Sequence, residues 1–457
     1  MRTPIFDFCQ SYANSDTVRF HMPGHKGVPG HNSVADHNSV VDVPLLGVEP
    51  LDITEIAGAD SLYEADGIIR ESEANASLVF GCPTFYSTEG SSQCIRAMLY
   101  LLTLASGGRR TILAGRNAHK TFVTACGLLD IDVQWLYGNG DNYLSCQVTP
   151  TEVEEMLCSI GEKPMAVYIT SPDYLGNMVD IAGIADVCHR HGVYLAVDGA
   201  HGAYLHFLPT PCHPMDLGAD LCCTSAHKTL PTLTGCAYLH LSPALPCFLE
   251  NSKDALALFG STSPSYLLLC SLDRLNPYLA GEYPEALAAH CIDVANCRQA
   301  LGSLGYRCMG DEPGKLTICP KSYGYTGAAL AELLRTNHME CEFADPDHVV
   351  LMPVPGQSAA LTHLTKVLQS LPKREPIPDV APSMPTKPAK AMSIREALFV
   401  QSEVVPIEDA TGRVLAALTV GCPPAVPIVV CGEVITDSAV RLMQYYGMET
   451  VKVVREA

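Results

Sequence analysis

Basic residues are scarce in this chain of 457 residues: 29 Lys and Arg stand against 49 Asp and Glu, a net charge of −20. Nucleic acid and anionic membranes both call for a basic footprint, so neither is expected as a partner. A surface this acidic favours cationic small molecules. No run of about 18 apolar residues occurs, so no membrane span is expected. The opening stretch MRTPIFDFCQSYANSDTVRF lacks the apolar centre of a secretory signal. No C-x-x-C pair and no zinc-type spacing occurs among the 20 cysteines, which are scattered. They read as reduced, mostly buried thiols of a cytoplasmic protein, with no metal expected. CHRHG, Cys188 to Gly192, is read as a helix end rather than a ligand cluster. Charged residues make up only 17% against 47% hydrophobic, which excludes a disordered chain. The length calls for two or three domains.

What is present is an alternation. RRTILAG at 109–115, MAVYIT at 165–170, VYLAVDGAHG from Val193, ADLCCTSAHKT from Ala219 and GCAYLHL from Gly235 read as apolar strands. Between them lie helical patterns such as PTEVEEMLCSI and IAGIADVCHRHG, the latter stopped by a glycine. Strands alternating with helices predict an α/β fold with a mostly parallel sheet, which binds ligands at the carboxyl ends of its strands. A proline-rich stretch, 372–390, reads as a linker or crossover. The segment 391–457 holds a short helix, SIREALF, a strand-like run, PIVVCGEVI, and a closing helix, DSAVRLMQYYG. The expected layout is an N-terminal arm over 1–45, a major domain over 46–285, a small α/β region over 286–371, the linker, and a C-terminal α+β domain over 391–457.

Three segments carry chemistry. STEGSSQCIRAML turns from small hydroxyl residues into a helix, so Gly90, Ser91 and Ser92 stand where free N–H groups can take a phosphate. It is not a Walker loop, because no G-K-[ST] follows. AVDGAHGA puts Asp198 at the end of an apolar strand, where a carboxylate calls for a cationic partner. TSAHKT puts Lys228 at the end of the next strand, where a lysine can lose its proton and form a Schiff base, with Ser225 and His227 beside it to hold an anion. Taken singly, each segment also reads as an ordinary cap, salt bridge or surface lysine. Together they describe a pyridoxal phosphate site, with Asp198 on a protonated ring nitrogen and Lys228 on the aldehyde.

At this point the motifs resemble the bacterial Orn/Lys/Arg decarboxylases, in a short form without a separate N-terminal regulatory domain. The resemblance runs through FHMPGHKG (from Phe20), DITEIAGADSLYEADGII (from Asp52), TEGSSQ, RNAHKT (from Arg116), VDGAHGA, TSAHKTLPTLTG, STSPSYLLLCSLD (from Ser261) and GCPPAVPIVVCGE (from Gly421). It implies a fold-type I pyridoxal-phosphate enzyme with a three-layer major domain. It implies that Lys228 holds the cofactor, that His227, Ser225, Ser91 and Ser92 bind its phosphate, and that Asp198 pairs with its ring nitrogen. Ala200 lies under the ring and His119, from the first AHKT, stacks on its other face, leaving Lys120 an ordinary side chain. Thr262 and Ser263 reach a partner's phosphate across a homodimer, and HMPGHKG either lines the site's entrance from the other subunit or is a structural arm. One departure stands out: short members often carry an acid where this chain has Gly199, while His201 is retained.

The expected reaction is decarboxylation of arginine, lysine or ornithine, with His119 and Lys228 both open as the proton donor. MECEFADPDH supplies Glu340, Glu342, Asp345 and Asp347, and Glu433 lies in the C-terminal motif; these acids are candidates for the substrate's cationic end. Two rivals remain. One is another fold-type I enzyme, an aminotransferase or lyase, although Arg335 and Arg413 sit in no carboxylate-binding motif. The other is a catalytically silent cofactor-binding protein.

Overall fold

The computed structural model describes residues 1–15, 17–27, 46–139, 142–378, 381–382, 387–418 and 424–456. Much of the expected arm and the start of GCPPAVPIVVCGE lie outside them. The chain divides into two compact units, Met1–Leu101 with Gly202–Asp216 and Asp220–Pro284, and Leu102–His201 with Leu217–Ala219 and Glu285–Ala457.

In the first unit, strands β1 (Thr84–Ser87), β6 (Leu221–Thr224) and β7 (Ala237–Leu241) form antiparallel pairs, β7 lying between the other two. Their residues are almost all buried, as apolar runs of four or five demand. Helices Pro4–Ala13, Ile68–Phe80 and Tyr266–Ala280 pack around the buried Asp273, which accepts from the N–H groups of Ile5 and Phe6, each at 3.0 Å, and from the Ser72 hydroxyl. The motif residue Asp60 has a structural task. Burial alone would raise its pKa, but the N–H groups of Asp66, Gly67, Arg70 and Ile69 hold it below the ordinary value and fix the start of Ile68–Phe80.

In the second unit, β2 (Thr111–Gly115), β3 (Asp132–Leu136), β4 (Ala166–Thr170) and β5 (Tyr194–Asp198) are parallel, in the order β5-β4-β2-β3. Parallel neighbours need crossovers, supplied by helices Lys120–Leu129, Pro150–Ser159 and Ile181–Arg190. Their starts are legible: the Thr149 hydroxyl accepts from Glu152 N–H, and Asp180 accepts from Gly183 N–H. A four-stranded antiparallel sheet (Arg307–Met309, Leu316–Cys319, Phe343–Ala344, Val349–Leu351) and a three-stranded one (Ser402–Pro406, Leu415–Ala417, Thr450–Val454) complete the unit. CHRHG does close a helix: Cys188 is buried and His191 pairs with Glu154 at 2.8 Å.

PIVVCGEVI is not a strand, contrary to the expectation. It makes only isolated bridges, Lys390 to Glu433 and Val414 to Val434. Gly432 turns the chain with φ of +87°, and a Cβ there would stand 2.4 Å from the Met392 carbonyl oxygen. The Val430 N–H is taken by the Glu433 carboxylate at 2.7 Å rather than by a ladder partner. Lys228 likewise does not end a strand; it lies on a one-turn helix, Ala226–Thr229, that follows β6. Among the described residues, no helix is long and apolar enough to cross a membrane.

Candidate active site

The predicted residues form two groups, one in each unit. In the first unit, helix Gly90–Ala105 opens at Gly90, whose φ of +70° suits glycine. The Gly90 N–H donates to Gly235 O at 2.8 Å, tying the helix start to the loop that carries TSAHKTLPTLTG into β7. The buried Ser225 donates its hydroxyl to Ser91 Oγ at 2.8 Å, so the two hydroxyls that follow β6 and open the helix lie side by side. His227 is half-buried, and its Nδ1 lies 2.8 Å from Cys236 O. A carbonyl oxygen brings no proton, so Nδ1 must donate, which leaves Nε2 to accept or to take a second proton. Lys228 is next along this turn and half-buried; the adjacent Thr229 hydroxyl oxygen is buried with no hydrogen-bond partner among the described residues. Hydroxyls, a helix start and an imidazole are groups that can take an anion. Thr262 and Ser263 lie on an exposed loop before Tyr266–Ala280.

In the second unit, Asp198 closes β5 and is 2% exposed. It accepts from the Tyr168 hydroxyl at 3.1 Å and from Ala200 N–H at 3.2 Å. Tyr168 stacks on Phe122 with ring centroids 4.1 Å apart, so the donor is itself held by packing. His119 caps helix Lys120–Leu129: its Nδ1 accepts from Thr121 N–H at 3.1 Å, which places the proton of the neutral ring on Nε2. Lys120 N–H donates to Ala425 O at 2.8 Å, so the C-terminal segment braces this cap. The two AHKT copies thus do different local work: the first presents a histidine at a helix cap, the second a lysine on a turn after a strand.

His201 is buried, and residues that no sequence motif singled out surround it. Its Nδ1 lies 3.3 Å from Lys315 Nζ, and the Tyr174 ring meets its own edge-on at 5.0 Å. Lys315 pairs with Glu312 at 2.6 Å, and the two side chains are only 2% and 1% exposed. DEPGKLTI carries no local signature of this, because the partners come from distant parts of the chain.

The acidic candidates are mostly engaged. Glu340 pairs with Arg335 at 3.0 Å. Asp345 organises its own loop through the N–H groups of Asp347 and His348 and pairs with the His348 ring. Asp347 meets Lys321 and the hydroxyls of Tyr445 and Tyr446. Glu433 pairs with Arg116 at 2.8 Å, both buried; burial raises the carboxyl's pKa and the guanidinium opposes that rise. Glu342 differs, being exposed and accepting from the neutral Tyr174 hydroxyl at 2.8 Å. Arg413 is bonded to Glu403 and Val454 O, which leaves an aminotransferase reading without support from it.

The comparisons with known proteins give the class of enzyme: a decarboxylase, a lyase. The chain belongs to the Orn/Lys/Arg decarboxylase family, whose major-domain model matches residues 3–310 and whose C-terminal-domain model matches residues 375–452. Basic amino acids are therefore its substrate class. It is 30% identical over 462 residues to an arginine decarboxylase of Bacillus subtilis (strain 168), spanning 95% of this chain and 91% of that protein. An arginine decarboxylase of Halalkalibacterium halodurans is 30% identical over 466 residues, 96% of this chain and 92% of that one. Among solved structures, the Francisella novicida lysine decarboxylase superposes with a TM-score of 0.80 at 18% identity, over 99% of this chain and 81% of that chain. The expected fold, an α/β fold-type I domain with a mostly parallel sheet and a smaller C-terminal domain, is the one found.

Proposed function

We propose that this chain binds pyridoxal 5'-phosphate through Lys228 and decarboxylates arginine, giving agmatine and CO2. The observation that carries the cofactor reading is the group of polar side chains in the first unit: Ser225 on Ser91, the helix start at Gly90, and the His227 ring bonded through Nδ1, next in the chain to Lys228. The donor set fits a phosphate and an aldehyde. The buried Asp198 fits a protonated ring nitrogen, and the buried Thr170 hydroxyl, which has no hydrogen-bond partner among the described residues and is paired with Asp198 in register across β4 and β5, adds a polar group. Arginine is favoured over lysine and ornithine because two relatives aligned over 95% and 96% of this chain are named arginine decarboxylases.

When bound, the cofactor supplies a sink for the electron pair of the bond to the departing carboxylate. The chain's own residues do the rest. Ser91, Ser92, Ser225 and His227 hold the phosphate. Asp198 would accept from the ring N–H and favour its protonated form. Ala200 and His119 would hold the ring between them, His119 through its imidazole. Lys228 would hold the cofactor's aldehyde, and Lys228 or His119 would be the proton donor to the substrate's Cα. Glu342, braced by Tyr174, is the carboxylate proposed for the guanidinium. A homodimer in which Thr262 and Ser263 reach the partner's phosphate belongs to the same proposal, as does a cytoplasmic setting, which the free thiols of the described cysteines support.

The test is incubation of the pure holoprotein with arginine, lysine, ornithine and neutral amino acids, with mass spectrometry of the amines formed. Agmatine as dominant product supports the proposal; cadaverine or putrescine reassigns the substrate. No amine from cofactor-loaded protein sinks it in favour of a silent binding protein, and keto acid formation moves it to an aminotransferase.

A further inference from the structure

The buried cluster behind His201 bears on what that histidine can do. Lys315 Nζ lies 2.6 Å from the Glu312 carboxylate, 3.2 Å from Asp173 O and 3.3 Å from His201 Nδ1. An ammonium has three N–H donors and no acceptor, so these contacts use all three. The lysine is fixed by construction. Arg298 donates to Gly310 O at 2.7 Å and to Lys315 O at 2.8 Å, clamping both ends of the 310–315 turn. The N–H groups of Asp311 and Glu312 both donate to Gly176 O, at 2.9 and 2.8 Å, docking the turn on the loop after β4. A Cβ at Gly310 would stand 2.6 Å from Leu175 O, so that approach needs glycine.

A histidine whose Nδ1 accepts from an ammonium cannot carry a proton there. Protonation would set an N–H against an NH3 group in a buried site, with no acceptor between them. The charged groups recorded nearest it among the described residues are engaged elsewhere. Glu312 is already paired with Lys315, and the Asp173 carboxylate is turned to the N–H groups of Leu175 and Asn177 and to the Asn177 amide, its pKa raised by burial. Tyr174 presents a ring edge, and Asp198 is bonded to Tyr168 and Ala200.

We propose that Lys315 is a positioning residue that locks His201 as a neutral imidazole with its proton on Nε2, a hydrogen-bond donor for the α-carboxylate of the substrate. The substrate part rests on the decarboxylase reading above. It also has a physical reason. The carboxylate leaves as uncharged CO2, so a cation fixed against it stabilises the ground state more than the transition state. A neutral donor orients the group without holding its charge. Lys315 thus supplies the charge that keeps charge off His201.

The test reads the proton directly. Holoprotein labelled with 15N-histidine, with His201→Gln to assign the resonance, reports which ring nitrogen is protonated. The expected result is a neutral His201 with a bare Nδ1 that does not titrate between about pH 6 and 8. A proton on Nδ1, or formation of an imidazolium in that range, overturns the proposal. In Lys315→Met, His201 is expected to titrate near the ordinary imidazole value of about 6.5, with kcat/KM for the basic amino acid gaining a new acidic limb there. Lys315→Arg, which keeps the charge, is expected to restore the wild-type profile. Parallel pH profiles in the wild type and Lys315→Met would refute the positioning role. If Lys315→Met does not fold, the wild-type resonance still decides. The two readings fail separately: wild-type holoprotein that forms no amine sinks the activity and leaves the His201 resonance to be read, whereas active enzyme with a titrating His201 sinks this inference alone.

Discussion

His227 in the first unit and His119 and His201 in the second are held in opposite ways. His227 donates through Nδ1 to a carbonyl 2.8 Å away, an arrangement that tolerates a second proton on Nε2. His119 accepts at Nδ1 from a backbone N–H, and His201 lies at Nδ1 against an ammonium. These arrangements disfavour the cation. The sequence shows only that each histidine sits in a short polar motif. The partner of Nδ1 decides whether the ring can meet a phosphate as a cation or must meet its ligand as a neutral ring. One side chain therefore serves two electrostatic tasks, set by the donors and acceptors the fold puts behind it.

The largest expected effect tests whether the lysine beside His227 is the one that works. Lys228→Ala is expected to lower kcat/KM by about 10²–10⁴-fold, the range for losing a proton-transferring group, and to abolish borohydride labelling of the chain by the cofactor. Lys120→Ala, in the first AHKT, is expected to keep the label and most of the activity. A label that moves to Lys120 in mapped peptides would invert the assignment of the two copies.

Next comes the strand-end carboxylate. Asp198→Asn keeps the shape and removes the charge; hydrogen bonds to charged groups contribute about 1.5–3 kcal/mol, so a loss of roughly 10–100-fold in kcat is expected, with the cofactor still bound. Loss of cofactor with little change in kcat would give Asp198 an anchoring task instead. His227→Gln is expected to do the converse, weakening cofactor retention by about 10-fold with a smaller change in kcat, measured by spectral titration after dialysis. If His227→Gln and His119→Gln weaken retention equally, the contrast between the two kinds of histidine has no consequence for binding.

How much of this was legible in the sequence follows from how far each interaction reaches along the chain. The helix starts at Thr149, Asp180 and Gly90, the strand that ends at Asp198, and the differing AHKT copies are written in contiguous residues. The Lys315–His201 contact spans 114 positions, and Glu433 meets Arg116 across 317. No periodicity announces such pairs. The acids of the loop MECEFADPDH, which its sequence offers to a cationic substrate, find cations and N–H groups of the protein itself, whereas Glu342 accepts from the Tyr174 hydroxyl. PIVVCGEVI had the composition of a strand; Gly432 and the Glu433 carboxylate turn it into a buried loop.

The smallest effect concerns histidines with no proposed part in the chemistry. His213 is fully buried, and its Nδ1 accepts from Met215 N–H at 3.3 Å. Burial pushes its pKa down from 6.5 to about 3; Asp216 pulls it up and His206 pushes it down further. His240, bonded to Thr84 and Thr224, is also held well below the ordinary value, again chiefly by burial. An unfolded chain takes up protons at both positions near 6.5, whereas the folded chain does not until far lower pH. The unfolded state therefore binds more protons in that window, and stability rises with pH. The contribution is fully present above about 6.5 and falls by up to about 1.4 kcal/mol per pH unit for each histidine as the solution is acidified towards the folded value. Denaturant unfolding between pH 7.5 and 5 should show this decline, and His213→Leu should remove one histidine's share of the slope while leaving amine formation at neutral pH unchanged. An identical slope in the variant would mean that His213 takes up its proton without unfolding.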